Sequence, residues 1–109
     1  MDKSDTWTLI GKRNPQKPQM FYPIADPDLR LSQGDRVAAR CTMVNTRDRE
    51  TFVGATKEDE MCNFYIMYWV YGKQQVHPNI CFSAGPPEWS WHESAGLRNI
   101  PEKAASTLE

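Results

Sequence analysis

The sequence predicts an all-β protein, an antiparallel β-sandwich of the jelly-roll type in preference to a barrel. Apolar and polar side chains alternate between residues 36 and 44, where one side of the predicted strand carries Val37, Ala39, Cys41 and Met43. Glycine and proline interrupt the chain at short intervals, as they do between short strands. No stretch longer than about ten residues keeps the apolar period of a helix. These observations favour short antiparallel strands joined by turns.

Six segments have the composition of β-strands, and loops rich in turn residues separate them. They cover residues 7–10, 20–24, 36–44, 51–53, 62–71 and 76–82. The Gly85-Pro86-Pro87 run interrupts any strand, and a helical turn is expected from Glu102 onward. We therefore expect residues 1–93 to be part of one β domain and residues 94–109 to form an irregular tail. The final Leu108-Glu109 pair is typical of a cloning remnant.

Composition excludes some classes of partner. The 109 residues include 13 basic and 14 acidic side chains, for a net charge of -1, so the chain lacks the basic surplus of a nucleic-acid-binding protein. No stretch approaches the roughly 18 apolar residues of a membrane span. The chain is long enough for a modest core, close to the size at which covalent cross-links become important. Neither nucleic acid nor a membrane span is expected.

The three cysteines, Cys41, Cys62 and Cys81, are an odd number. In a secreted domain an unpaired cysteine indicates a partner outside the chain or a free thiol. The cysteine spacing contains no C-x-x-C pair, so a structural zinc site is not expected. Three reduced thiols buried in a cytosolic protein are the alternative that composition leaves open.

The stretch "DEMCNFYIMYW", residues 59–69, carries unusual side chains for a core strand. Because side chains alternate along a strand, one face would carry Met61, Asn63, Tyr65 and Met67, and the other Cys62, Phe64, Ile66 and Tyr68. The second face is ordinary core. The first places a thioether that suits copper(I) beside an amide and a phenol that can hold a carboxylate. The alternative is that Met61 only fills a gap in the packing.

Three segments resemble the C-terminal catalytic domain of the peptidylglycine α-hydroxylating monooxygenase family, which depends on copper and ascorbate. They are "WTLIGKRNPQKPQMFYP", "GDRVAARC" and "DEMCNFYIMYW", in the family's order and spacing, and the likeness runs from Trp7 to about Cys81. The resemblance implies an antiparallel jelly-roll sandwich. It also implies that Met61 is a copper ligand and that Asn63 and Tyr65 hold the carboxylate of the peptide's terminal glycine.

The resemblance further implies a Cys41–Cys62 disulfide and a partner for Cys81 that lies upstream of this sequence. In the family, a His-x-His just before the segment matching Trp7 supplies two more ligands to the same copper, and a second copper sits on three histidines of an N-terminal domain. This sequence contains neither. His77 and His92 match no ligand and are interpreted as surface or loop residues. We therefore expect an incomplete domain that is inactive alone, and no catalytic residue is assigned within it.

For the complete enzyme the resemblance implies hydroxylation of the glycine Cα of glycine-extended peptides, with dioxygen and electrons from ascorbate, leading to peptide α-amidation. It implies a location in the secretory pathway, in secretory granules or outside the cell. Two alternatives remain open. One is a noncatalytic, secreted β-sandwich interaction module of the same fold. The other is a hydroxylase similar to dopamine β-monooxygenase, which shares the E-M-C-x-x-Y core and has a loop similar to "NTRDRE".

Overall fold

The computed structural model describes residues 5–108, and most of this range has an irregular backbone. Among these residues the regular elements are one α-helix, α1 (Glu102–Ala105), and one isolated β-bridge between Val53 and Glu60. The helix begins where the sequence predicted a helical turn, so that prediction is confirmed. The described range contains no β-strand. The antiparallel sandwich and the division of the chain at residue 93 stay predictions.

The chain divides into two compact units. The first unit, within the described range, comprises residues 5–7 and 65–100. Trp7 and Asp5 connect the short first segment to the end of the second. Trp7 Nε1 donates a hydrogen bond of 2.9 Å to the carbonyl of Arg98, and the Arg98 N–H donates one of 2.7 Å to Asp5 Oδ2. The Trp7 ring also stacks on Trp91, with centroids 6.2 Å apart. Contacts between residues far apart in sequence therefore hold this unit.

The buried apolar side chains of the first unit lie close to these contacts. Leu97 and Ile100 are each 8% exposed. They flank Asn99, whose φ of 58° lies in the left-handed region that asparagine tolerates better than most residues. The Asn99 side chain donates to the carbonyl of Asp5. Two of the residues that the sequence assigned to an irregular tail are thus the buried apolar residues in the described part of this unit.

The second unit comprises residues 8–64 and 101–108 of the described range. Its α1 segment is attached by two basic side chains. Arg40 forms an ion pair with Glu102 and donates to Ser106 Oγ at 3.0 Å, and Lys12 Nζ donates to the carbonyl of Ala104 at 2.9 Å. Since a helix of one turn is not stable by itself, these contacts account for its position.

Exposure alternates along the apolar stretch 64–71. The more exposed side chains are those of Tyr65 78%, Met67 72%, Trp69 75% and Tyr71 77%, and the less exposed are those of Phe64 51%, Ile66 46%, Tyr68 49% and Val70 41%. This period of two is what extended backbone produces, because successive side chains point to opposite sides. Phe64, Ile66 and Tyr68 of the less exposed set belong to the face that the sequence predicted as core. None of the eight is buried.

Candidate functional site

Met61 lies between two residues that are fixed by different interactions. Before it, Glu60 forms the bridge with Val53, in which Glu60 N donates to Phe52 O at 2.9 Å and Gly54 N donates to Glu60 O at 3.2 Å. After it, Cys62 is bonded to Cys41. Met61 is 49% exposed, so the residue lies at the surface of the second unit and is not enclosed in a core. The backbone of Met61 is therefore constrained on both sides while the residue itself is half exposed.

The disulfide joins Cys41 and Cys62, with Cα atoms 5.7 Å apart and an S–S distance of 2.05 Å. The pairing implied by the family resemblance is confirmed. It closes a loop with a sequence separation of 21 residues. In the chain-entropy description, a cross-link over such a loop stabilises the folded chain by about 3 kcal/mol, because the unfolded chain loses conformations. We refer to residues 41–62 as the disulfide loop.

Arg47 connects the two sides of the disulfide loop from within. Its Nη1 donates to Glu58 Oε2 at 3.0 Å, and its Nη2 donates to Thr51 Oγ1 at 2.6 Å and to the Glu58 carbonyl at 2.8 Å. Arg49 Nη2 contacts the same Glu58 carboxylate. Asn45 accepts from the Arg47 N–H and donates to the carbonyl of Arg49, which shapes the turn that carries both arginines.

A second polar cluster fixes the turn before Glu60. The Asp59 carboxylate accepts from the Thr56 hydroxyl at 2.7 Å and from the Thr56 N–H at 3.2 Å. The same carboxylate lies so close to Gly54 that a Cβ added there would collide with it. A side chain at position 54 would therefore displace the Asp59 carboxylate from its hydrogen bonds with Thr56. The opposed charges of residues 47–60 are visible in the sequence, but which arginine meets which acid depends on the path of the loop.

An open cavity of about 460 Å³ lies in this part of the second unit. Its lining is mixed, with apolar atoms from Met43 and Val44 and charged groups from Arg47, Lys57 and Glu58. The charged groups include two that are already paired with each other.

The two residues predicted to bind the substrate carboxylate, Asn63 and Tyr65, are exposed. Asn63 belongs to the second unit with Met61, and Tyr65 begins the 65–100 part of the first unit. The common face predicted for these three residues therefore stays a prediction.

The residues described by the structure do not by themselves fit a metal centre. Within 5–108, no group of three or more His, Cys, Asp or Glu side chains could hold a metal ion. Met61 offers one soft thioether, which cannot fill the coordination shell of copper. Both histidines are exposed, and Cys81 is an exposed thiol. The upstream partner expected for Cys81 stays a prediction. No helix in this range is long and apolar enough to cross a membrane.

Comparisons with known proteins give the family. The model of the "copper type II ascorbate-dependent monooxygenase, C-terminal domain" family matches residues 1–94. Peptidyl-glycine alpha-amidating monooxygenase B of Xenopus laevis is 41% identical over 90% of this chain and 10% of its own length. The peptidyl-glycine alpha-amidating monooxygenase of Mus musculus is 40% identical over 94% of this chain and 10% of its own length.

The chain spans about a tenth of the length of the curated relatives that it matches. No solved structure gives a significant match to it. The match of the family model covers far more than half of the chain, and the identity to the two relatives extends over nearly all of it. The chain therefore belongs to the copper type II ascorbate-dependent monooxygenase family, as part of its C-terminal domain.

Proposed function

We propose that this chain is part of an enzyme that hydroxylates the Cα of the C-terminal glycine of glycine-extended peptides, a reaction that leads to peptide α-amidation. The observation that carries the proposal is the identity of about 40% to peptidyl-glycine alpha-amidating monooxygenases over at least nine-tenths of the chain. The family description adds copper and ascorbate. The substrate is then a peptide whose terminal glycine carries a free carboxylate.

Within this proposal Met61 is a copper ligand. Copper, when bound, supplies the oxygen chemistry. A neutral thioether is a soft ligand that favours copper(I), and Met61 is half exposed and not enclosed in a core. The constraints on Glu60 and Cys62 support the assignment, because a ligand needs a fixed backbone. The remaining ligands are proposed to be the two histidines that the family resemblance places before the segment at Trp7.

Asn63 and Tyr65 are proposed to bind the terminal carboxylate of the peptide. The Asn63 amide and the Tyr65 phenol each donate an N–H or O–H to a carboxylate oxygen, and hydrogen bonds to a charged group are stronger than those between neutral groups. Both side chains are exposed and hence available to a ligand. Two donors on one carboxylate orient the adjacent Cα, and such positioning lowers the barrier for a reaction at that carbon.

We also propose a location in the secretory pathway. The Cys41–Cys62 disulfide supports it, because disulfides persist in oxidising compartments and are rare in the cytosol.

The test is a comparison of two substrate classes on the complete protein that contains this chain. With copper and ascorbate present, we expect hydroxylation of a glycine-extended peptide and little reaction with a catecholamine. The isolated 109-residue chain is the control and should turn over neither. A preference for the catecholamine would support a hydroxylase similar to dopamine β-monooxygenase. Absence of hydroxylation with either substrate would support the noncatalytic module.

A further inference from the structure

Arg47 connects two parts of the disulfide loop, one at Thr51 and the other at Glu58. The guanidinium contacts Thr51, four residues later, and both the carboxylate and the carbonyl of Glu58, eleven residues later. The Arg47 side chain is 30% exposed and that of Glu58 is 53% exposed, so the guanidinium side of these hydrogen bonds is partly shielded from water. Three bonds from one planar group define the distance between residue 51 and residue 58.

Glu58 lies two residues before Glu60, whose N–H and carbonyl form the bridge with the Phe52–Gly54 segment. Thr51 immediately precedes the same segment. Arg47 therefore contacts a residue two positions before each partner of the bridge, Thr51 before Val53 and Glu58 before Glu60. The bridge consists of two backbone hydrogen bonds and has no neighbouring ladder within the described residues, so it depends on such support.

We propose that Arg47 is a positioning residue for Met61: by linking Thr51 to Glu58 it keeps the Val53–Glu60 bridge closed and so fixes the backbone on the N-terminal side of Met61. The disulfide at Cys62 fixes the C-terminal side. That this positioning matters for turnover rests on the proposed function, in which Met61 is a ligand. Arg47 itself touches neither substrate nor metal in this proposal.

Arginine is required at this position because the contact uses two nitrogens that point to different acceptors. Nη1 reaches the carboxylate, while Nη2 reaches the hydroxyl and the carbonyl. A lysine ammonium is one point charge and cannot reproduce this planar fork. Arg49 provides the matched control, since it contacts the same Glu58 carboxylate through one nitrogen and its side chain is 64% exposed. An exposed pair of that kind contributes little.

The experiment compares Arg47→Met, Arg47→Lys and Arg49→Met in the complete protein. Hydrogen–deuterium exchange of the peptide covering residues 52–62 reports opening of the bridge, and steady-state kinetics with a glycine-extended peptide separate kcat from KM. We expect Arg47→Met and Arg47→Lys to speed exchange in this peptide about three- to tenfold, as the loss of partly shielded charged hydrogen bonds predicts. They should lower kcat and leave KM within about twofold, because the substrate donors are untouched. Arg49→Met should change neither.

Thr51→Val extends the test if Arg47→Met does not fold. It removes one acceptor and keeps the size of the side chain, so it should speed exchange in the same direction by a smaller factor. If exchange is unchanged in Arg47→Met, the proposal is overturned. If Arg47→Met does not fold, unchanged exchange in Thr51→Val overturns it. An effect of Arg49→Met on exchange equal to that of Arg47→Met also overturns it. Faster exchange with unchanged kcat would overturn the positioning role. If the wild-type protein hydroxylates no peptide, the proposed function has failed, and the positioning role fails with it.

Discussion

The disulfide loop, residues 41–62, and the segment 64–82, which begins with the apolar stretch 64–71, follow each other in sequence and are held in different ways. The loop is closed by a covalent bond, crossed by Arg47 and bridged at Val53 and Glu60, so contacts among its own residues hold it. In the segment 64–82, Val76 N donates a hydrogen bond to Tyr68 Oη, and Trp69 makes an edge-on contact with Tyr71. The large apolar side chains of this segment are exposed, with Ile80 and Phe82 at 80% and 92%.

The difference shows which kinds of sequence determine their own structure. Polar side chains, turn residues and a nearby cysteine pair can satisfy one another within about twenty residues, because loop closure over such a distance is entropically inexpensive. An apolar β-prone stretch gains free energy by burying its side chains against other segments. Residues 64–82 therefore depend on surfaces that their own sequence does not supply. Four experiments test this comparison, in order of decreasing expected effect.

Met61→Ile in the complete protein should give the largest effect. The substitution nearly conserves volume and should cost less than about 1.5 kcal/mol of stability. Activity on a glycine-extended peptide should fall by more than about a hundredfold, because loss of a ligand exceeds the loss typical of groups that only orient ligands. Steady-state assays and copper analysis measure this. The matched control is Met67→Ile, since Met67 is an exposed thioether in the apolar stretch. Equal losses in the two variants would remove the distinction between the regions.

Removal of the disulfide should have the next largest effect. The double substitution Cys41→Ser and Cys62→Ser opens a loop with a separation of 21 residues and should lower the free energy of unfolding by about 3 kcal/mol. Denaturant titration of this chain measures it. Cys81→Ser, which alters an exposed thiol, should lower stability by less than about 0.5 kcal/mol. A disulfide variant as stable as the wild type would show that polar contacts alone hold the loop.

Tyr65→Phe should weaken peptide binding in the complete protein and leave copper content unchanged. The substitution keeps the ring and removes one hydrogen bond to a carboxylate, an interaction worth about 1.5–3 kcal/mol. A rise in the dissociation constant of the glycine-extended peptide measures it. Tyr71→Phe is the control, because Tyr71 has nearly the same exposure, 77% against 78%, in the same stretch. Tighter or unchanged binding in Tyr65→Phe would remove this residue from the proposed site.

Ile66→Ala should have the smallest effect in this chain. Its side chain is 46% exposed, so truncation removes little buried area and should cost less than about 1 kcal/mol. Leu97→Ala is the reference, since Leu97 is 8% exposed and should lose about 2–5 kcal/mol. Thermal or denaturant unfolding compares the two. A loss at Ile66 as large as at Leu97 would show that this face is covered, as the predicted sandwich would require.

The sequence predicted those features that depend on residues close together or on a family motif. The alternation in exposure at 64–71 follows from the period of extended backbone, and the helical turn at Glu102 from a short run of good helix formers. The Cys41–Cys62 pairing came from the resemblance, because three cysteines alone allow several pairings.

Other features depend on the path of the chain and could not be predicted. Asp5 and Arg98 are separated by 93 residues, and no local pattern joins them. The choice of Glu58 as the partner of Arg47 is of the same kind, because several acids in residues 48–60 have suitable charge. The roles of Met61, Asn63 and Tyr65, like the sandwich itself, stay predictions.

The stack of Trp7 on Trp91 gives the first unit an optical reporter. Two indole rings with centroids 6.2 Å apart and planes inclined by 15° couple their electronic transitions, so a near-ultraviolet circular dichroism signal should accompany the joined ends of this unit. Trp69 is 75% exposed and should therefore emit as an indole in contact with water. Spectroscopy can therefore follow separation of the two ends without any label attached to the protein.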